Sequence, residues 1–158
     1  MRLQVSTRLA IFAVLELTAR EGHQLAVADI GKKYGVSSHH LAKVMHVLGR
    51  AGLVRSVRGA KGGYTFVGNP RRVTLLDVVA LFEDLSSTDQ GNGDTATPED
   101  QALREILSEI DDIALATLGS VTLSTMRKLV DRRRLDRSSR RPRSRRLDGF
   151  GRVQEIQK

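Results

Sequence analysis

The spacing of apolar positions over residues 27–50 predicts two short helices joined by a tight turn. Gly35 suits the end of the first helix, because glycine adopts the left-handed backbone conformation without a steric penalty. Ser37 or Ser38 offers a hydroxyl that can cap the second helix. Apolar side chains then recur at i, i+3, i+4 and i+7, the spacing of one buried helical stripe. They are Leu41, Val44, Met45 and Leu48. The second helix should therefore bury one face and present the other to solvent.

A short β-hairpin is predicted directly after the second helix. Residues 53–57 suggest one strand and residues 64–66 suggest the return strand. Arg58 and Lys61 lie at the glycine-rich tip between the two strands. We therefore expect a mainly α-helical fold with a small β-hairpin wing. This order of elements is typical of a winged helix-turn-helix, which lays its second helix in the major groove of DNA.

The exposed face of the second helix and the hairpin tip carry the candidate DNA-binding residues. On the helix these are Ser38, His39, His40, Lys43, His46 and Arg50, and at the hairpin tip they are Arg58, Gly59, Lys61 and Gly62. Such groups can contact phosphates, while the first turns of the helix read base edges. Two other interpretations stay open: a solvated surface helix, and a helix-turn-helix that binds no DNA. A metal site is disfavoured, because the three histidines lack i, i+4 spacing and the chain has no cysteine.

Capping signals predict further helices along the chain. Thr74 and Asp77 form a potential capping box before an apolar run, which predicts another well-buried helix that extends to residue 82. Thr97, followed by proline and two acidic residues, is a strong start for a long helix. Residues 121–130 suggest one last short helix.

The long helix carries one continuous apolar stripe. Its members are Leu103, Ile106, Leu107, Ile110, Ile113, Ala114 and Leu118. Such a stripe packs either on the helix's own domain or on a second copy of the chain. Helix-turn-helix proteins usually bind as dimers, because their half-sites repeat one turn of DNA apart. We therefore expect a homodimer formed through this stripe, with an intramolecular helix bundle as the alternative.

Charge is distributed in blocks along the 158 residues, whose formal net charge is +8. Residues 1–72 carry a net +9, residues 73–126 carry −10 and residues 127–146 carry +9. The first basic block coincides with the predicted DNA-binding module, whereas the acidic block should face away from DNA. The chain has no cysteine and no apolar run long enough to span a membrane. We expect a cytoplasmic, nucleoid-associated protein without membrane contact.

Several motifs together resemble the Rrf2 (IscR/NsrR-type) family of bacterial transcription regulators over about residues 1–130. The motifs are Met1-Arg2-Leu3, Gly35-Val36-Ser37, His40-Leu41, Gly52-Leu53-Val54, Val57-Arg58-Gly59-Ala60-Lys61-Gly62-Gly63-Tyr64, Val73-Thr74-Leu75, Asp77-Val78-Val79 and Val121-Thr122-Leu123. The resemblance implies a homodimeric repressor or activator with a winged helix and a long crossing dimer helix. The base-reading positions that it implies are His39, His40, Lys43 and Arg58.

The chain departs from that family in the loop before the long helix. Sensing members hold an iron–sulfur cluster there with three cysteines, and some complete it with a ligand from the N-terminal region. The corresponding loop, residues 86–101, has no cysteine, and Ser6-Thr7-Arg8 stands in the N-terminal region. Because such clusters need thiolates, we expect no iron–sulfur cofactor. The acidic residues of the loop could bind a hard cation, but only weakly. The protein then binds DNA without a cofactor, responds to an unidentified small molecule, or acts through its abundance alone.

The predicted organisation has four parts. A DNA-binding domain at 1–84 precedes a flexible loop at 85–97, the dimerisation and terminal helices at 98–130, and a basic tail at 131–158. The tail should be disordered, or helical only near Leu129, and it acts as a solvated end or as a non-specific DNA tether. The preferred function is that of a sequence-specific transcription regulator, with repression favoured over activation. The alternative is a winged-helix protein-interaction module. An enzyme is disfavoured, because the sequence offers no catalytic relay and no phosphate loop.

Overall fold

The computed structural model describes residues 3–19, 24–59, 62–85 and 97–139. Within these ranges the chain forms six helices and two strands. In chain order they are α1 (Val5–Thr18), α2 (Val27–Tyr34), α3 (Ser38–Arg50), β1 (Val54–Val57), β2 (Gly63–Phe66), α4 (Leu75–Val79), α5 (Pro98–Ser120) and α6 (Leu123–Ser139). The prediction of a mainly helical fold with one small hairpin is confirmed.

Helix α1 lies at the centre of the hydrophobic core. Nine of its 14 residues are buried, and α3, α4, α6 and β2 pack around it. Its apolar residues cover all sides rather than one stripe, as expected of a helix that is surrounded by other elements. The buried hydroxyl of Thr18 donates a hydrogen bond to the carbonyl of Leu15 at 3.0 Å, so this polar group has a hydrogen-bond partner within the core.

Helices α2 and α3 form the predicted helix-turn-helix. Gly35 follows α2 with φ of 66°, in the left-handed region that favours glycine. Ser37 caps α3, because its hydroxyl accepts a hydrogen bond from the backbone N–H of His40 at 3.3 Å. The apolar stripe of α3 is at most 2% exposed. Helix α3 is thus held against the core by one face and leaves the other face open.

The two strands form the predicted antiparallel hairpin, with Val54 opposite Phe66. A backbone bridge connects this hairpin to the segment before α2. Leu25 donates to the carbonyl of Tyr64 at 3.0 Å, and Tyr64 donates to the carbonyl of Leu25 at 2.9 Å. The wing is therefore anchored to the helix-turn-helix on the side of α2. Lys61, at the predicted tip, lies outside the described residues.

Helix α4 begins as predicted but is shorter than predicted. Thr74 and Asp77 form both hydrogen bonds of the capping box. The helix ends at Val79, and the N–H of Phe82 donates to the carbonyl of Val79 at 3.0 Å in a tight turn. Leu81 and Phe82 still pack against the core. The prediction was wrong here because an apolar run reports burial, and a turn can bury side chains as well as a helix can.

Helix α5 is the longest element and begins with the predicted signals. Thr97 and Asp100 form a capping box, with Pro98 at the first position. None of its 23 residues is buried, although its C-terminal part packs on α4 and Leu118 contacts the core. Neither α5 nor any other helix in the described ranges is long and apolar enough to cross a membrane.

Helix α6 extends well beyond residue 130, where the sequence predicted its end. It continues to Ser139, so the first nine residues of the basic tail are helical rather than disordered. Arginine has a high helix propensity, and Arg134 lies 3.6 Å from Asp131 in an i, i+3 ion pair. The apolar pattern could not predict this extension, because it reports burial and not helix propensity. Residues 140–158 lie outside the described residues.

Candidate nucleic-acid interface

Most of the predicted DNA-binding residues of α3 lie on its solvent-exposed face. These are Ser38, His39, Lys43, His46 and Arg50. The buried stripe on the other side fixes the rotation of the helix, because turning it would expose four core residues. The exposed face combines positive charge at Lys43 and Arg50 with imidazole groups that can donate hydrogen bonds to phosphates or base edges.

His40 differs from the other candidates on α3. It is half-buried, and its Nε2 lies 3.4 Å from the hydroxyl of Ser6 on α1. This contact joins the first turn of α3 to the N-terminal part of α1. His40 therefore helps to orient the start of α3, and part of its ring surface is withdrawn from solvent.

The wing adds a second basic surface. Arg58 and Gly59 are exposed, whereas Gly62 is half-buried and its N–H donates to the carbonyl of Gly59 at 2.8 Å. Arg55, which was not among the predicted DNA-binding residues, is exposed on β1 beside the buried Val54. Alternation of inward and outward side chains along a strand could have identified it.

The histidines of α3 do not assemble a metal site. Across the part of the chain that the structure describes, no group of three or more His, Cys, Asp or Glu side chains is placed to hold a metal ion. The exposed positions of His39 and His46 suit contacts to a large anionic surface instead.

The apolar stripe of α5 divides into two parts. The exposed part consists of Leu103, Ile106, Leu107, Ile110 and Ile113, each with between 51% and 60% of its surface exposed. Ala114 and Leu118, which the sequence assigned to the same surface, are half-buried, and Leu118 packs against the core of its own chain. Large aliphatic side chains that form one contiguous exposed patch mark an interaction surface. We refer to the five exposed residues as the α5 patch.

In sequence, the chain is similar to bacterial transcriptional regulators. Residues 3–128 match the Rrf2 family, which is described as "Iron-dependent Transcriptional regulator". The chain is 48% identical over 134 residues to a Rhodopseudomonas palustris protein named as the HTH-type transcriptional regulator BadM, with 85% of this chain and 86% of that protein covered. It is 29% identical over 132 residues to the HTH-type transcriptional regulator CymR of Bacillus subtilis, with 83% and 93% covered.

In structure, the chain is also similar to bacterial transcriptional regulators. The structure of CymR, described as the global cysteine regulator of B. subtilis, aligns with a TM-score of 0.71 at 27% identity and covers 82% of this chain and 98% of that one. IscR of T. potens aligns with a TM-score of 0.62 at 25% identity and covers 82% and 88%. The matched family and the relatives named above are regulators of transcription and not enzymes.

Proposed function

Because the chain belongs to the Rrf2 family of DNA-binding, winged-helix transcriptional regulators, we propose that it acts as a homodimeric repressor that reads a specific DNA sequence without an iron–sulfur cluster. One observation carries this proposal. The chain exposes a basic surface on α3 and the wing, and separately an apolar surface on α5. These two surfaces suit two different partners, a DNA duplex and a second copy of the chain.

The proposed contacts to DNA divide by position along α3. His39 and Lys43 lie in its first two turns, which in helix-turn-helix proteins approach base edges. His46 and Arg50 lie further along the exposed face and would contact phosphates, which fix the register without reading sequence. Arg58 would reach the adjacent backbone or minor groove from the wing.

The proposed dimer forms when the α5 patches of two copies pack together about a twofold axis. Burying one Leu or Ile side chain completely contributes about 1.5–3 kcal/mol. Five such side chains from each copy would therefore supply a substantial driving force, offset in part by the cost of association. Two copies present two α3 helices, which allows a palindromic pair of half-sites to be read.

Repression is proposed because it requires nothing more than occupancy of the DNA. A dimer bound across a promoter blocks access by the polymerase, and no surface that contacts the polymerase is needed. Activation would require such a surface in addition to the two surfaces described above.

The residues of this chain do not fit an iron–sulfur cluster, although the family description refers to iron. The 158 residues include no cysteine, and thiolates are the ligands on which these clusters depend. In the N-terminal region, the hydroxyl of Thr7 donates a hydrogen bond to Glu83, so this side chain serves the fold. We therefore propose that no iron–sulfur cluster controls DNA binding.

The DNA-binding proposal is tested by fluorescence anisotropy at one fixed salt concentration. The full chain is titrated into a labelled duplex from upstream of its own gene and into a scrambled duplex of equal length and composition. We expect tighter binding to the upstream duplex by a factor of at least about a hundred, and reduced transcription from that duplex in a purified system. Equal affinity for both duplexes would contradict sequence-specific regulation and favour a protein-interaction module.

The cluster is tested separately. The protein is purified without oxygen, incubated with ferrous iron and sulfide, desalted, and examined for visible absorption and bound iron. We expect a colourless protein without stoichiometric iron. Broad visible absorption with bound iron and sulfide would refute the cluster-free proposal and leave the DNA-binding result unaffected.

A further inference from the structure

A cleft lies between α1, α2 and α6, and we refer to it as the α1–α6 cleft. Its volume is about 570 Å³, within the range of roughly 300–1,000 Å³ that small-molecule sites occupy. One wall is apolar and is formed by Phe12, Leu15, Met126, Leu129 and Val130. Phe12 stacks on Tyr34 with ring centroids 4.9 Å apart. The cleft therefore offers an extended apolar and aromatic surface.

The polar side of the α1–α6 cleft is organised around Glu16. This carboxylate accepts hydrogen bonds from Lys33 and, at 2.7 Å, from the hydroxyl of Tyr34. Burial acts to raise the pKa of Glu16, but the hydrogen bonds from Lys33 and Tyr34 outweigh it and the pKa is lowered. Burial and the hydrogen bond to Glu16 raise the pKa of Tyr34. At neutral pH the cleft thus contains an ionised carboxylate whose charge is already compensated.

Positive charge predominates around the cleft. Its basic lining residues are Lys33, Arg127, Arg133, Arg134 and Arg137, whereas its only acidic ones, within the described part of the chain, are Glu16 and Asp131. The side chain of Arg134 is 55% exposed, and it lies 3.6 Å from each of the two carboxylates. A guanidinium carries five N–H donors in a fixed plane. Arg134 therefore retains donors for a further carboxylate at the rim of an apolar cleft.

We propose that the α1–α6 cleft binds a small amphiphilic anion, a monocarboxylate with an apolar body. Its carboxylate would meet the guanidinium of Arg134, since the two planar groups can form paired hydrogen bonds. Its apolar body would lie on Phe12 and Leu129 and remove apolar surface from water. An organic cation would meet an excess of like charge, and a neutral molecule would leave the basic rim unused. This site goes beyond the proposed DNA-binding function, and its occupancy does not depend on that function.

The proposal is tested by isothermal titration calorimetry with the full chain. Octanoate is the probe, used below its micelle concentration, and octylammonium and octan-1-ol carry the same apolar body with a cationic or neutral head. We expect saturable binding of one octanoate per chain, at least about tenfold tighter than either comparison ligand. Absence of saturable binding, or equal binding of octylammonium or of octan-1-ol, would overturn the proposal.

Two pairs of variants assign the binding to the α1–α6 cleft. Arg134→Gln should weaken octanoate binding about tenfold, whereas Arg132→Gln removes the same charge from the same helix but not from the cleft lining. Leu129→Ser removes apolar surface from the cleft wall at a residue that is 47% exposed, and it should also weaken octanoate binding. Its control is Leu135→Ser, which makes the same change at a residue that is 70% exposed and lies outside the cleft. Both control variants should stay within twofold of the unmodified chain. Equal losses within either pair would show that the anion binds elsewhere or through net charge alone.

Discussion

At the scale of single residues, Lys43 is the position where sequence preference can be separated from general attraction to DNA. It is exposed on α3, one turn after the start of the helix. We expect Lys43→Gln to cost about 1–3 kcal/mol in binding to the upstream duplex and to relax the base preference at one position. Competition anisotropy against duplexes with single base changes measures both effects.

Lys32→Gln is the matched control for that experiment, because Lys32 is exposed on α2 and its loss changes the net charge by the same amount. It should weaken binding to all duplexes by a similar factor, since a charge on the first helix of the motif contributes to attraction to the backbone and not to base readout. Identical behaviour of the two variants would show that Lys43 contacts phosphate or no DNA at all.

Sequence alone could predict which side chains of α3 face solvent, because one apolar stripe with helical period fixes the rotation of the helix. The partial burial of His40, which distinguishes it from the other candidates on α3, could not be predicted from this stripe. Its contact is with Ser6, 34 positions earlier in the chain, and no local pattern encodes that distance. Arg55 belongs to no sequence motif, and it is exposed because it follows the buried Val54 on β1 and therefore points to the other face of the strand.

At the scale of elements, Glu83 joins the segment after α4 to the start of α1. Its Oε1 accepts hydrogen bonds from the hydroxyl of Thr7 and, at 2.7 Å, from the backbone N–H of Gln4. These two hydrogen bonds lower the pKa of Glu83. A carboxyl whose pKa is lowered by folding stabilises the protein above its ordinary pKa, and the contribution is lost as the pH falls through the lowered value.

We therefore expect Glu83→Gln to lower the melting temperature at neutral pH, and we expect the difference from the unmodified chain to narrow in acid. Thermal denaturation followed by circular dichroism between neutral and acidic pH measures this. Glu105→Gln removes the same charge from an exposed position on α5 and should show no such narrowing. A difference that is constant with pH would mean that Glu83 acts through packing alone.

The α5 patch supports a prediction about assembly. Ile110 lies within the patch and is 55% exposed in the single chain. Ile110→Glu would place a charge in the proposed apolar dimer contact, where desolvation is costly. We expect a monomer by sedimentation at concentrations where the unmodified chain is expected to dimerise, and weaker binding to the upstream duplex.

Ser108→Glu is the control for Ile110→Glu, because it introduces the same charge two positions away, on roughly the opposite side of the helix. It should leave the dimer intact. Dissociation of both variants would point to general repulsion, and persistence of the dimer in Ile110→Glu would place the interface elsewhere.

Helix boundaries that carry a capping signal in the sequence were predicted well, and boundaries without such a signal were not. The capping boxes at Thr74 and Thr97 fix where α4 and α5 begin. The ends of α4 and α6 have no comparable signal, so the prediction relied on apolar runs, which describe burial. The sequence also did not predict that the apolar stripe of α5 divides into an exposed part and a half-buried part. Leu118 packs against the core of its own chain and Ile113 is exposed, yet both fit the same continuous helical pattern.

At the scale of the whole molecule, charge is separated along the chain in a way that suits the proposed geometry. The first 72 residues carry a net +9 and include the helix-turn-helix and the wing, whereas residues 73–126 carry −10 and include α5. Acidic charge on α5 would be repelled by DNA, which favours an arrangement with the α5 patch on the side away from the duplex. Repulsion between like charges would also disfavour a contact between the basic surfaces of two copies.

The last 19 residues, 140–158, carry a net +5 and allow the tether interpretation to be tested without shortening α6. Each phosphate contact made by a basic side chain releases counterions and steepens the salt dependence of binding. We expect deletion of residues 140–158 to give a shallower slope of log affinity against log salt, and to preserve the ratio of affinities for the upstream and scrambled duplexes. A full-length variant in which the arginines of this segment are replaced by glutamine should match the deletion, since charge and not length produces the effect. Loss of the affinity ratio in either variant would mean that this segment takes part in reading the sequence, and an unchanged slope would mean that it is a solvated end.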